Sequence, residues 1–69
     1  MVVYYKDKTG QIEYINGKYI VRIKATEIMG TAWPYHIIID YLNKEQEILR
    51  FENEDQRNNM CVTLAEAME

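Results

Sequence analysis

The chain has no serine, and its 69 residues include only one cysteine, one histidine, one proline and one tryptophan. Without serine there is no serine nucleophile. Cys61 alone cannot form an internal disulfide, and Cys61 with His36 cannot fill a tetrahedral zinc site. A lone cysteine fits a reducing compartment. The three glycines, Gly10, Gly17 and Gly30, each fall in a turn or loop, and none belongs to a phosphate-binding loop. The acidic groups Glu45/Glu47 and Glu52/Glu54/Asp55 lack the spacing of a calcium loop. No metal or cofactor is expected. No apolar run approaches the roughly 20 residues of a membrane helix. The opening residues, Met1 to Asp7, have neither a basic leader nor a long apolar core, so they do not read as a signal peptide. A cytoplasmic protein away from membranes is the expectation.

What is present is strand pattern followed by one helix. Val2 to Lys6 alternates as a strand, and Asp7-Lys8-Thr9-Gly10 reads as a turn. Gln11 to Ile15 is a second strand. Asn16-Gly17 is a strong hairpin signal, since a type I′ turn needs positive φ at both central residues. It would place Ile15 opposite Lys18 and Tyr14 opposite Tyr19. A third strand from Lys18 to about Thr26 would then share an apolar face of Tyr19, Val21, Ile23 and Ala25 with Ile12 and Tyr14. Pro34 opens a fourth strand, in which Tyr35, Ile37, Ile39 and Tyr41 alternate with His36, Ile38, Asp40 and Leu42. After the turn Asn43-Lys44-Glu45, residues Gln46 to Phe51 form a fifth strand with Leu49 and Phe51 inward.

Asn53 then caps a helix running from Glu54 to about Met68. Gln56 completes a capping box, and Glu54 and Asp55 suit the helix dipole. Met60, Leu64 and Met68 run along the apolar arc, flanked by Cys61, Ala65 and Ala67, and Val62 falls outside it. The fold class is therefore α+β: an antiparallel sheet of about five strands, able to curl into a partial barrel, with one C-terminal helix packed on it. The single domain of residues 1–69 divides into strands at 1–51 and helix at 53–68.

The net charge of −3 is unevenly placed: +3 over residues 1–24, −2 over 25–51 and −4 over 52–69. A domain this small buries only about 60% of its unfolded surface, so a partner or its own oligomer would add stability. Six tyrosines suit an interface.

No catalytic arrangement emerges. Cys61 reads as a small hydrophobe on the helix arc, and His36 reads as a surface or interface side chain. Asp40 lies two positions away on the same strand face, too far for a direct pair. The chain is expected not to be an enzyme. The candidate ligand-binding residues are the cations Lys18, Arg22 and Lys24, alternating along one strand face with Ile20 between them, together with Trp33, Tyr35 and Arg57. Such a row can grip phosphates, and the aromatics can stack on bases. The plainer reading is the wet face of an antiparallel sheet. Arg57, on the apolar stripe, either snorkels past the sheet edge or reaches an anion. The acidic total disfavours long nucleic acid.

Ile37-Ile38-Ile39-Asp40-Tyr41, then Glu47-Ile48-Leu49-Arg50-Phe51, then Glu54-Asp55-Gln56-Arg57 leading into the helix together resemble small accessory proteins of phages and other mobile elements. That resemblance implies action by binding, either blocking a host or defence protein or sequestering a nucleotide signal. Three functions follow as expectations. The first is a non-enzymatic, homo-oligomeric inhibitor or regulator that binds a protein. The second is an oligomeric sponge for a nucleotide-like anion. The third is a nucleic-acid-binding regulator.

Overall fold

In the computed structural model, which describes residues 1–69, five strands precede one helix. The strands are β1 (Val2–Lys6), β2 (Ile12–Asn16), β3 (Ile20–Glu27), β4 (Tyr35–Tyr41) and β5 (Gln46–Phe51), and the helix is α1 (Glu54–Ala67). All strand pairs are antiparallel. The α+β class, the strand count and the C-terminal helix agree with the sequence pattern. The strands form two sheets, however: a β1–β2 ribbon and a three-stranded β3-β4-β5 sheet.

The division falls at Asn16-Gly17, and it corrects the expected hairpin. Asn16 keeps extended angles (φ −91°, ψ 110°), and its Oδ1 accepts a hydrogen bond from the Lys18 N–H at 3.1 Å. Gly17–Tyr19 winds as a single 3-10 turn, so β2 pairs with β1 and not with β3. Gly17 does not adopt positive φ. It is buried against the last turn of α1, where any Cβ would collide with the backbone of Ala67. Close approach of two backbones, not turn geometry, requires glycine here.

A second correction concerns β3. Ile20 lies opposite Tyr41 while Arg22 lies opposite Asp40, so one residue of β3 bulges out. The bulge rotates Ile20 onto the core face and leaves Val21 outside. Tyr19, Val21, Ile12 and Tyr14, expected inward, are all more than half exposed. Beyond the bulge, Ile23 and Ala25 meet Ile39 and Ile37 across the ladder, but Ile23 is only half-buried and Ala25, also expected inward, is exposed.

The core is centred on β4. Ile37, Ile39 and Leu64 are fully buried, and Leu49 and Ile15 nearly so. Burial of side chains this size stabilises by roughly 1.5–3 kcal/mol each. Leu64 and Ala67 of α1 cover the sheet, with Met60, Cys61 and Met68 half-buried beside them, whereas Ala65 turns outward. Asn53 caps α1 as expected, its Oδ1 accepting from the Gln56 N–H at 2.9 Å. Val3, Tyr5 and Ile15 close the core from the ribbon side, and the Tyr5 ring meets Phe51 edge-on at 5.4 Å.

Tyr5 also joins the two sheets. Its hydroxyl donates to the Arg50 carbonyl at 2.7 Å and accepts from the Arg50 N–H at 3.0 Å. One side chain thus satisfies both outward backbone groups of Arg50 on the edge of β5. Burial pushes the Tyr5 phenol above its ordinary pKa, which keeps this donor protonated. Tyr5→Phe keeps the ring but leaves both Arg50 groups unpaired. It should lower stability by about 1–2 kcal/mol. Urea unfolding checks this, and a variant within experimental error of the parent would refute the seam.

Candidate interaction site

The outer face of the β1–β2 ribbon is the least expected feature. Val2, Tyr4 and Lys6 of β1 lie opposite Asn16, Tyr14 and Ile12 of β2, and directly opposed residues share a face. Val3, Tyr5 and Ile15 point inward, so this other face points outward. Val2 is 58% exposed, Tyr4 62%, Ile12 52% and Tyr14 73%. Lys6 is the one charge in this set. Single exposed apolar residues are ordinary, but an aromatic cross-strand pair flanked by Val and Ile forms a continuous patch of the kind found at interaction surfaces.

Beside β2 lies a cleft of about 530 Å³ whose lining includes Glu13, Glu45 and Glu47 with Tyr14, Tyr19 and Tyr41. The Tyr41 hydroxyl donates to Glu47 Oε1 at 2.5 Å. Burial, then that bond, raises the Tyr41 phenol well above its usual pKa. The Glu13 carboxyl shares a hydrogen bond with that of Glu47, which lifts the Glu13 pKa to about 7, with burial adding to the rise.

This pair makes stability depend on pH with a definite sign. Between the ordinary carboxyl value of 4.5 and about 7, native Glu13 holds a proton that the unfolded chain has released. Stability therefore falls as pH rises through that window. Asp7 and Asp40 act in the opposite sense. Hydrogen bonds from Thr9 to Asp7, and from Gln46 and Arg22 to Asp40, hold both below their ordinary 3.8, so their contribution fades as pH falls through the acid range. Urea midpoints should decline from pH 4.5 to 7.5 in the parent and stay level in Glu13→Gln. Equal slopes in both proteins would remove the shared proton from the account.

The six residues expected to bind a ligand do not form one site. Lys18 sits in the 3-10 turn, outside the β3 row. Ile20, expected on the cationic face, is buried on the other side of the sheet. Arg22 is held by Asp40, with Nε and Nη2 at 3.0 and 2.9 Å from Oδ2. Lys24 shares the open face with Arg22, next to Ile38. Arg57, against the expectation that it snorkels or takes an anion, is buried. Its Nη1 donates to the Thr26 carbonyl at 2.8 Å, Nε donates to Asn58 Oδ1, and the guanidinium lies 5.5 Å from the Tyr35 ring centre. Tyr35 is thereby committed to Arg57. Trp33 is half-buried and lines a groove between β1 and α1.

His36 is also buried, not a surface side chain. Its Nε2 lies 3.0 Å from the Trp33 carbonyl, so this nitrogen carries the proton and donates. Burial raises the Cys61 thiol pKa, which disfavours the nucleophilic thiolate. The exposed ribbon residues were legible as a strand but not as a surface, because period-2 alternation defines two faces without saying which one the core takes. No helix is long and apolar enough to cross a membrane. No known protein family, curated protein or solved structure matches this chain.

Proposed function

We propose that this chain is a non-enzymatic binding protein that engages a protein partner through the outer face of the β1–β2 ribbon. The exposed set Val2, Tyr4, Ile12 and Tyr14 carries the reading. Tyrosine supplies large contact area with a polar tip and little entropy to lose, which suits a protein interface. The resemblance to phage and mobile-element accessory proteins supports a role as inhibitor or regulator of a host or defence protein, acting as a homo-oligomer.

The cations are arranged less favourably for a nucleotide-like anion. Arg22 is neutralised by Asp40, Arg57 is turned inward, and Lys18 and Lys24 lie on separate elements. A sponge would need neighbouring copies to bring them together.

Native mass spectrometry of protein gently purified from the cells that make it tests the reading. The expected result is a discrete complex of fixed stoichiometry, lost in an Ile12→Thr/Tyr14→Thr variant that still folds. A bare monomer, or a complex that survives the double substitution, would overturn it. A ligand mass of a few hundred daltons per site would favour the sponge instead.

A further inference from the structure

The β1 strand has one paired edge and one open edge. Gly17 N–H donates to the Met1 carbonyl and Asp7 N–H to the Gln11 carbonyl, each at 2.9 Å. These bonds fix the phase of the ladder at both ends. Antiparallel pairs alternate between hydrogen-bonded and non-hydrogen-bonded, so Val3 and Tyr5 bond to β2. The N–H and C=O groups of Val2, Tyr4 and Lys6 point away from β2, and no other strand pairs with β1.

A groove of about 650 Å³ runs along this edge. All six residues from Met1 to Lys6 line it, which places it beside the strand and not over one face. Trp33, Phe51 and Met60 supply apolar surface, and Gln56, Asn59 and Thr63 of α1 form the polar rim. The other edges are occupied or guarded. Tyr5 covers the Arg50 groups on β5, and β3 carries the exposed charges Arg22, Lys24 and Glu27. The cleft beside β2 carries Glu13, Glu45 and Glu47, and charged side chains beside an edge discourage strand pairing. The β1 groove contains no carboxylate, and its single charged side chain is Lys6.

We propose that the open edge of β1 is a strand-addition site for a protein partner. The occupant is an extended segment, apolar at alternate positions, with a carboxylate placed against Lys6. Main-chain bonds to Val2, Tyr4 and Lys6 would supply affinity, and the Trp33/Phe51/Met60 surface would select the side chains. A second copy of the chain suits the edge less well. Two β1 strands paired antiparallel about Tyr4 would set Lys6 opposite Val2 and offer it no carboxylate. The inference rests on the reading of the chain as a protein-binding protein and specifies how the partner docks.

The probe is a pool of short acetylated peptides with Val, Ile or Tyr alternating with Thr and one Asp near either end. Amide exchange of the ¹⁵N-labelled protein reports the contact. Bound peptide should slow exchange at Tyr4 and Lys6 about tenfold or more while Val3 and Tyr5 stay unchanged. Tyr4→Pro removes one outward N–H without touching the β1–β2 ladder. It should weaken binding about tenfold, the size of one lost backbone bond, and more than Tyr4→Ala does. Lys6→Glu, which leaves the backbone intact, should reverse the preference from Asp-bearing to Lys-bearing peptides.

The edge site is overturned if no peptide in the pool binds, if Lys6→Glu leaves the preference unchanged, or if folded Tyr4→Pro binds as the parent does. Protection of the same amides in a peptide-free dimer would make a second copy the occupant and overturn the partner assignment. If the natural complex is lost in Ile12→Thr/Tyr14→Thr while no peptide binds, the ribbon-face reading stands and the edge site fails. If peptides pair with β1 while that complex survives, the ribbon-face reading fails and the edge site stands.

Discussion

Gly17→Ala should destabilise the protein by about 3 kcal/mol, at the upper end for overpacking. The added Cβ would lie 2.5 Å from the Ala67 carbonyl carbon and 2.7 Å from its Cβ, and closer still to the carbonyl oxygen. The obstacle is the backbone of α1, which cannot swing aside as a side chain can. Relief requires the last turn of the helix to lift, and Leu64 and Ala67 in that region are both buried in the core. Ala67→Gly in the same chain should recover only part of the loss, because the carbonyl remains. Urea denaturation at a pH below 6 gives the measurement. A variant within about 0.5 kcal/mol of the parent, the range of a neutral surface change, would mean that α1 does not rest on Gly17 in solution.

Arg57→Ala should cost about 3 kcal/mol. The substitution removes a charge-assisted bond to the Thr26 carbonyl, leaves Asn58 without its donor and empties the space over Tyr35. Glu54, 3.8 Å away and largely in solvent, contributes little. Arg57→Lys should recover only part, since a point ammonium cannot serve Thr26 and Asn58 while lying flat on a ring. Amide exchange should accelerate first in the opening turn of α1 and near Thr26. If Arg57 instead served an external anion, its removal would leave stability nearly unchanged or raise it. Denaturant unfolding with and without inorganic phosphate separates the two roles, and phosphate-dependent stabilisation lost in Arg57→Ala would return Arg57 to ligand binding.

Both residues show where sequence reading reached its limit. Asn16-Gly17 has the local signature of a hairpin, and glycine was assigned to turn conformation. Its actual reason is the backbone of Ala67, fifty residues further along, and no local pattern contains that contact. Arg57 stands out in the sequence as a charge on an apolar stripe. Whether such an arginine meets solvent, an anion or a carbonyl depends on where β3 passes the helix start, which the stripe itself does not contain. Lys18, Ile20, Arg22 and Lys24 formed a row only while the strand stayed regular. One extra residue at the bulge turns Ile20 inward and breaks it.

The sequence by itself determined the elements. Period-2 alternation marks the strands, Asn53 with Glu54 and Asp55 marks the helix start, Leu49 and Phe51 read as inward, and Leu64 lies on the apolar arc of the helix. These signals lie within a few residues of one another, so local sterics and capping suffice to specify them. Tertiary structure decided the rest. It separated β2 from β3, turned Ile12 and Tyr14 outward, closed the β5 edge with Tyr5 and left the β1 edge open. Each outcome depends on which of two strand faces and which of two edges meets another element. Alternation leaves those choices equal, and only the packing of α1 and the ribbon on a shared core separates them.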